Sequence, residues 1–142
     1  MQPNIYLDID GVLLTKNQQP ANYANEFLRY VLGEYPDSTY WLTTRCNGDA
    51  TVPVRQIGHL FEPDVLELMK KIKPTARELT AKTHSIDFNK PFLWFDDNLF
   101  YEEREALLAH DVFEDLIQVN LVKDPDQLGK FLQSFPTPVE LT

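Results

Sequence analysis

The chain has 142 residues, 43% hydrophobic and 25% charged, a globular balance that excludes fibrous and disordered classes and can bury a core without disulfide or metal staples. Thirteen Lys and Arg against 22 Asp and Glu give a net charge of −9, which argues against a general nucleic-acid surface, because such affinity rests on clustered basic charge. A single cysteine, Cys46, allows no intramolecular disulfide and points to a reducing cytoplasm; the first residues offer no secretory signal, and no apolar run approaches the roughly 20 residues that span a bilayer.

Ile5-Tyr6-Leu7 followed by Asp8-Ile9-Asp10-Gly11 predicts a short buried strand ending in a turn. Apolar residues at 23, 24, 27, 28, 31 and 32 predict a helix over 22–32, opened near Pro20 and closed by Gly33. Tyr40-Trp41-Leu42-Thr43 reads as a second strand after the polar turn at 36–38. A helix is expected over 50–60, with Pro53 unsettling its first turn, and a stronger one over 63–72, where Pro63 suits the first position. Arg77-Glu78-Leu79-Thr80 is expected to be a short third strand. Phe92-Leu93-Trp94-Phe95 is a β-prone run stopped by Asp96-Asp97, and a helix follows over 99–109. Glu102 and Glu103 lie near its start, where the helix dipole favours anions, and Glu102-Glu103-Arg104-Glu105 reads as a solvated face. Leu116-Ile117-Gln118-Val119 predicts a further strand and 124–135 a final helix. No repeat or linker interrupts the chain, so residues 1–142 are read as one domain.

Strands alternating with helices indicate an α/β fold: a Rossmann-like parallel sheet with helices on both faces. Such sheets bind ligands outside the carboxyl ends of their strands, and those ends carry Asp8 and Asp10, Thr43, and Asp96 and Asp97. An Asp-Gly turn at 10–11 or an acidic loop at 96–97 is unremarkable alone; both at strand ends shift the balance, because converging carboxylates repel unless a cation holds them, and oxygen ligands suit Mg²⁺. Thr43 and Thr44, with adjacent backbone N–H groups and Arg45, can donate to a phosphate oxygen. Lys82, 14 residues before Asp96, is placed to offset anionic charge. Lys73 and Lys90 compete for that role, but Lys90 crowds the strand and Lys73 sits at the end of a helix.

Together these residues resemble the haloacid dehalogenase (HAD)-like phosphohydrolase superfamily. Residues 5–13, a hydrophobic strand then Asp8-Ile9-Asp10-Gly11-Val12-Leu13, match its first motif; Tyr40-Trp41-Leu42-Thr43 resembles the second, Lys82 the third-motif lysine, and Phe92-Leu93-Trp94-Phe95-Asp96-Asp97 the fourth. The resemblance spans residues 5 to about 120. It implies a Mg²⁺-dependent phosphomonoesterase in which Asp8 is the nucleophile forming an aspartyl-phosphate and Asp10 the general acid and base. It further implies that Thr43, Thr44 and Lys82 bind phosphate and that Asp8, the Asp10 carbonyl, Asp96 and Asp97 surround the metal, with Asp97 the direct ligand of that pair. Only residues 12–21 separate the first motif from the first helix, room for a flap and not a cap domain. An open, capless site suits a phosphate-ester substrate that is macromolecular, or a small one enclosed by another subunit; nucleic acid and membrane partners are not expected. The alternative is a catalytically silent HAD-like module that binds a phosphorylated partner. A two-component receiver places its lysine after the phospho-acceptor acid and the Thr, the wrong order here, and no P-loop motif is present. His59, His84 and His110 lack metal-ligand spacing, Cys46 reads as a small side chain, and Trp41 and Trp94 as core, with Trp41 near the pocket border.

Overall fold

Four short apolar runs form the sheet of the computed structural model, which describes residues 2–76, 82–112 and 115–135. They are β1 (Asn4–Leu7), β2 (Thr39–Trp41), β3 (Phe92–Asp96) and β4 (Leu116–Gln118), arranged β2-β1-β3-β4. Every pairing is parallel. β1 and β3 are buried along their whole length, as strands covered on both faces must be, and so read as unbroken apolar runs. Successive side chains point to opposite faces. Ile5, Leu7, Trp41, Leu93 and Phe95 therefore enter one apolar layer, while Tyr6, Phe92 and Trp94 enter the other.

Helices cover both layers. α1 (Ala24–Glu34) buries Ala24, Phe27, Leu28, Val31 and Leu32, a stripe at helical spacing. It packs against α3 (Pro63–Met69) and α5 (Gln127–Gln133), and α2 (Thr51–Ile57) adds Ile57 to the same layer. Phe95 anchors this side, with ring centroids 5.2 Å from Phe27 and 5.5 Å from Phe131; emptying such a position costs about 3–5 kcal/mol. Opposite, α4 (Tyr101–Ala109) packs against a 3-10 turn at Lys82–Ser85, with Leu107 and Ile86 buried beneath. No helix among the described residues is long and apolar enough to cross a membrane.

Several boundaries differ from the sequence expectation. Gly33 does not close α1: the helix runs to Glu34 and ends where the Tyr35 N–H bonds Val31 O. Buried Val31 and Leu32 hold that turn against the roughly 1 kcal/mol glycine penalty. The 50–60 segment splits into α2 and a 3-10 turn at Gly58–Leu60, and Pro53 is accommodated in the first turn, whose N–H needs no partner. α3 stops at Met69, short of Ile72, and α5 begins only at Gln127. The strand expected at Arg77-Glu78-Leu79-Thr80 lies outside the described residues. The sheet edge beyond β2 is instead met by Lys73, bridged to Tyr40 through Trp41 N–H to Lys73 O at 2.8 Å and Lys73 N–H to Thr39 O at 2.9 Å. Trp41 is fully buried in the layer that holds Ile5, Leu7 and Phe95.

The chain leaves β1 for β2 on one side and later returns to β3 on the other. The strand order thus reverses between β1 and β3, and their carboxyl ends flank a topological switch point.

Candidate functional site

Leu7 pairs with Phe95, so the next residue on each strand, Asp8 and Asp96, emerges side by side at the switch point. The Asp8 N–H continues the ladder to Phe95 O at 3.0 Å. Lys82 enters from the 3-10 turn and places its Nζ 3.0 Å from Asp8 Oδ2 and 2.7 Å from Asp96 Oδ2. All three groups are sealed: Asp8 is 6% exposed, Lys82 7% and Asp96 1%. The remaining oxygens accept backbone donors, Asp8 Oδ1 from Ile9 N at 2.8 Å and Asp96 Oδ1 from Asn98 N at 3.1 Å. Asp97, more exposed, offers a further carboxylate, and oxygens of Asp8, Asp96 and Asp97 lie within 4.8 Å of one another.

Three carboxylates meet one ammonium, so full ionisation would leave the cluster two negative charges in excess. Burial, reinforced by the Asp96 charge, pushes the Asp8 carboxyl up to about 7. Burial also raises Asp97, with the Asp8 charge adding to it. Burial alone would lower Lys82, but the Asp8 and Asp96 charges outweigh it and hold the lysine above its ordinary value as an ammonium. A divalent cation with oxygen preference would cancel the excess, and the donor set, all carboxylate, has the right chemistry for one.

The backbone of Lys82 is itself fixed. Glu103 Oε2 accepts the Lys82 N–H and Oε1 accepts the Phe100 N–H, each at 3.0 Å. Glu103 is 1% exposed, so the solvated-face reading fails for it, though Glu102, Arg104 and Glu105 are exposed. The N3 position of α4 lets one carboxylate cap its own helix and staple the neighbouring turn. The sequence signal was the spacing of Glu103 from the helix start; the second bond needed the fold.

Asp10 and Thr43 stand on the same edge. Arg45 grips Asp10 in two bonds, Nε to Oδ2 at 2.8 Å and an Nη to Oδ1 at 2.7 Å, while also reaching Gln18 Oε1 at 2.7 Å and Gln56 Oε1 at 3.1 Å. The Arg45 hydrogen bond holds the Asp10 carboxyl below its usual range. Thr43 lies two residues beyond the end of β2, fully buried, its Oγ1 accepting the Arg45 N–H at 3.2 Å. Thr44 is exposed. Gly11 adopts φ +83, and a Cβ there would overlap the Asp97 carboxylate, so this close approach requires glycine.

Of the competing lysines, only Lys82 reaches the acids. Lys73 lies at the sheet edge with its Nζ 5.7 Å from the Tyr40 ring centroid, and Lys90 precedes β3 at its opposite end. His59, His84 and His110 are exposed, His110 stacking on Phe88 at 4.0 Å, and Cys46 is core. Asp8, Lys82, Asp96 and Asp97 are thus gathered, with Asp10 beside them but paired to Arg45, a partner the sequence did not assign. Comparison with protein-family models, with curated proteins and with solved structures finds no match to this chain.

Proposed function

We propose that the chain is a capless HAD-like phosphohydrolase, a Mg²⁺-dependent phosphomonoesterase acting through an aspartyl-phosphate on Asp8. The observation that carries the reading is the Lys82 ammonium held at 3.0 and 2.7 Å between acids from two separate strands, beside a third acid. In this reading Asp8, Asp97 and the Asp10 carbonyl hold Mg²⁺, with Asp96 orienting Lys82. Bound Mg²⁺ supplies positive charge where phosphoryl and carboxylate oxygens meet. Lys82 offsets the remaining repulsion, so that positioning and electrostatics account for most of the rate.

An Asp8 oxygen bonds to phosphorus as the ester P–O bond breaks, and Asp10 gives its proton to the departing alkoxide. Water then attacks phosphorus, losing its proton to Asp10; the Asp8–phosphorus bond breaks, leaving an alcohol and inorganic phosphate. Thr43 and Thr44 face the phosphate oxygens. Asp10 must be released by Arg45 to carry a proton, and a phosphate ester brings oxygens that compete for the guanidinium. That same pair favours the second reading, a silent module binding a phosphorylated partner, because it occupies the would-be acid.

A phosphate-release screen over diverse esters separates the two. Turnover is expected with Mg²⁺, lost with chelator and lost in Asp8→Asn. Equal background in all three arms, with retained binding of a phosphorylated ligand, would establish the module instead.

A further inference from the structure

Beside the acid cluster lies a cleft of about 320 Å³, bounded by residues 15–17 on one side and residues 119–122 on the other, with Gly11 and Asp97 also lining it. Its volume sits at the small end of small-molecule sites. Both sides are braced. Residues 14–20 form a tight hairpin, with Leu14 bridged to Pro20 and Asp10, and with Thr15 N–H to Gln19 O at 2.8 Å and Gln18 N–H to Thr15 O at 3.0 Å. Arg45 ties Gln18 of this hairpin to α2 through Gln56. Opposite, Asn120 N–H bonds Gln127 Oε1 at 2.6 Å, Lys123 N–H bonds Asn120 Oδ1 at 3.1 Å, and Gln127 Nε2 returns to Gln118 O at 3.0 Å.

Of the lining side chains only Lys16 and Asp97 are charged. Asp97 belongs to the acid cluster, whereas no described residue pairs with Lys16, an exposed ammonium on a chain of net charge −9. Asn17 and Asn120 add amide donors, and Val122, 69% exposed, adds aliphatic surface; no aromatic ring lines the cleft. One cation, two amides and aliphatic carbon lining a cleft that also reaches Asp97 of the acid cluster suit an aliphatic phosphate ester that carries a second negative charge.

On the phosphohydrolase reading above, we infer that this cleft receives the leaving group and that the preferred substrates are phosphomonoesters of small aliphatic alcohols bearing a second anionic group, which Lys16 binds. Lys16 is then a specificity-determining residue, selecting small esters with an anionic tail over macromolecular ones.

Phosphate release from 3-phosphoglycerate and from glycerol 3-phosphate, similar in size and differing in the far carboxylate, tests this directly. The expected kcat/KM ratio is about tenfold or more in favour of 3-phosphoglycerate, the scale of one charge-assisted hydrogen bond. It should fall towards one in Lys16→Gln and invert in Lys16→Glu. A wild-type ratio near one, or a ratio that survives both substitutions, overturns the inference while p-nitrophenyl phosphate turnover leaves the phosphohydrolase reading standing. Absence of release from all three esters overturns both.

Discussion

Asp8 binds its proton more tightly in the folded chain than in the unfolded one, since burial and then the Asp96 charge move its pKa from 3.8 to about 7. Between those values the unfolded chain has already lost that proton. Stability without divalent cations should therefore fall as pH rises from about 4 to about 7, by ~4 kcal/mol at most, and then level off. Lys82, with its pKa raised, contributes below its ordinary 10.5 and fades only above it, so it does not act in this window. Urea melts at pH 5 and pH 7.5 in chelator should show the fall in wild type and a smaller one in Asp8→Asn; equal slopes would mean Asp8 is not the titrating group. Glu103 works differently, as a buried acceptor serving two backbone donors. Glu103→Ala strands both N–H groups, at about 1–3 kcal/mol each, measurable in the same melts. Glu103→Gln keeps one acceptor and turns an amide donor towards the other N–H, so an intermediate loss is expected.

At the level of elements, the turn after β1 and the end of β3 are built against each other through Gly11. Gly11→Ala meets both a left-handed backbone and the Asp97 carboxylate. A loss of about 1–2 kcal/mol is expected from the backbone alone, together with a higher Mg²⁺ concentration for half-maximal effect as Asp97 is displaced; an unaltered Mg²⁺ titration would separate Asp97 from metal binding. These two elements were also the most legible in the sequence, because an acid that interrupts an unbroken apolar run marks where a buried strand ends. Lys82 was legible only through its spacing to Asp96. Glu103 is indistinguishable from its neighbours in the sequence, because three acids in four residues look alike until a neighbouring turn selects one. The pairing of Arg45 with Asp10 leaves no local pattern, since the partner lies 35 residues away. Propensity makes Gly33 a helix stop, and the packing of Val31 and Leu32 overrides it.

Over the whole molecule the net charge is −9, and among the described residues the acids Asp8, Asp96 and Asp97 converge at the switch point, two of them buried. A divalent cation that binds there only in the folded state stabilises it by ~2.7 kcal/mol at a hundred times its Kd, a rise in Tm on the order of 10 °C. Mg²⁺ should raise Tm well beyond NaCl of equal ionic strength, and Asp97→Asn should remove most of the difference. Matching shifts from both salts would assign the effect to general screening of the acidic surface. The alternation of strands and helices made the parallel sheet predictable, whereas the strand order did not follow from any residue pattern: it required the crossing from β2 over to β3 that sets the acids side by side.

The two tryptophans have a use of their own. Trp41 and Trp94 are both fully buried, on adjacent registers but in opposite apolar layers, and neither indole N–H has a hydrogen-bond partner. Each is a built-in optical reporter for one side of the sheet. Emission from Trp41→Phe and Trp94→Phe proteins, followed through denaturation, reads the two halves of the interior separately and tells whether they come apart in a single step.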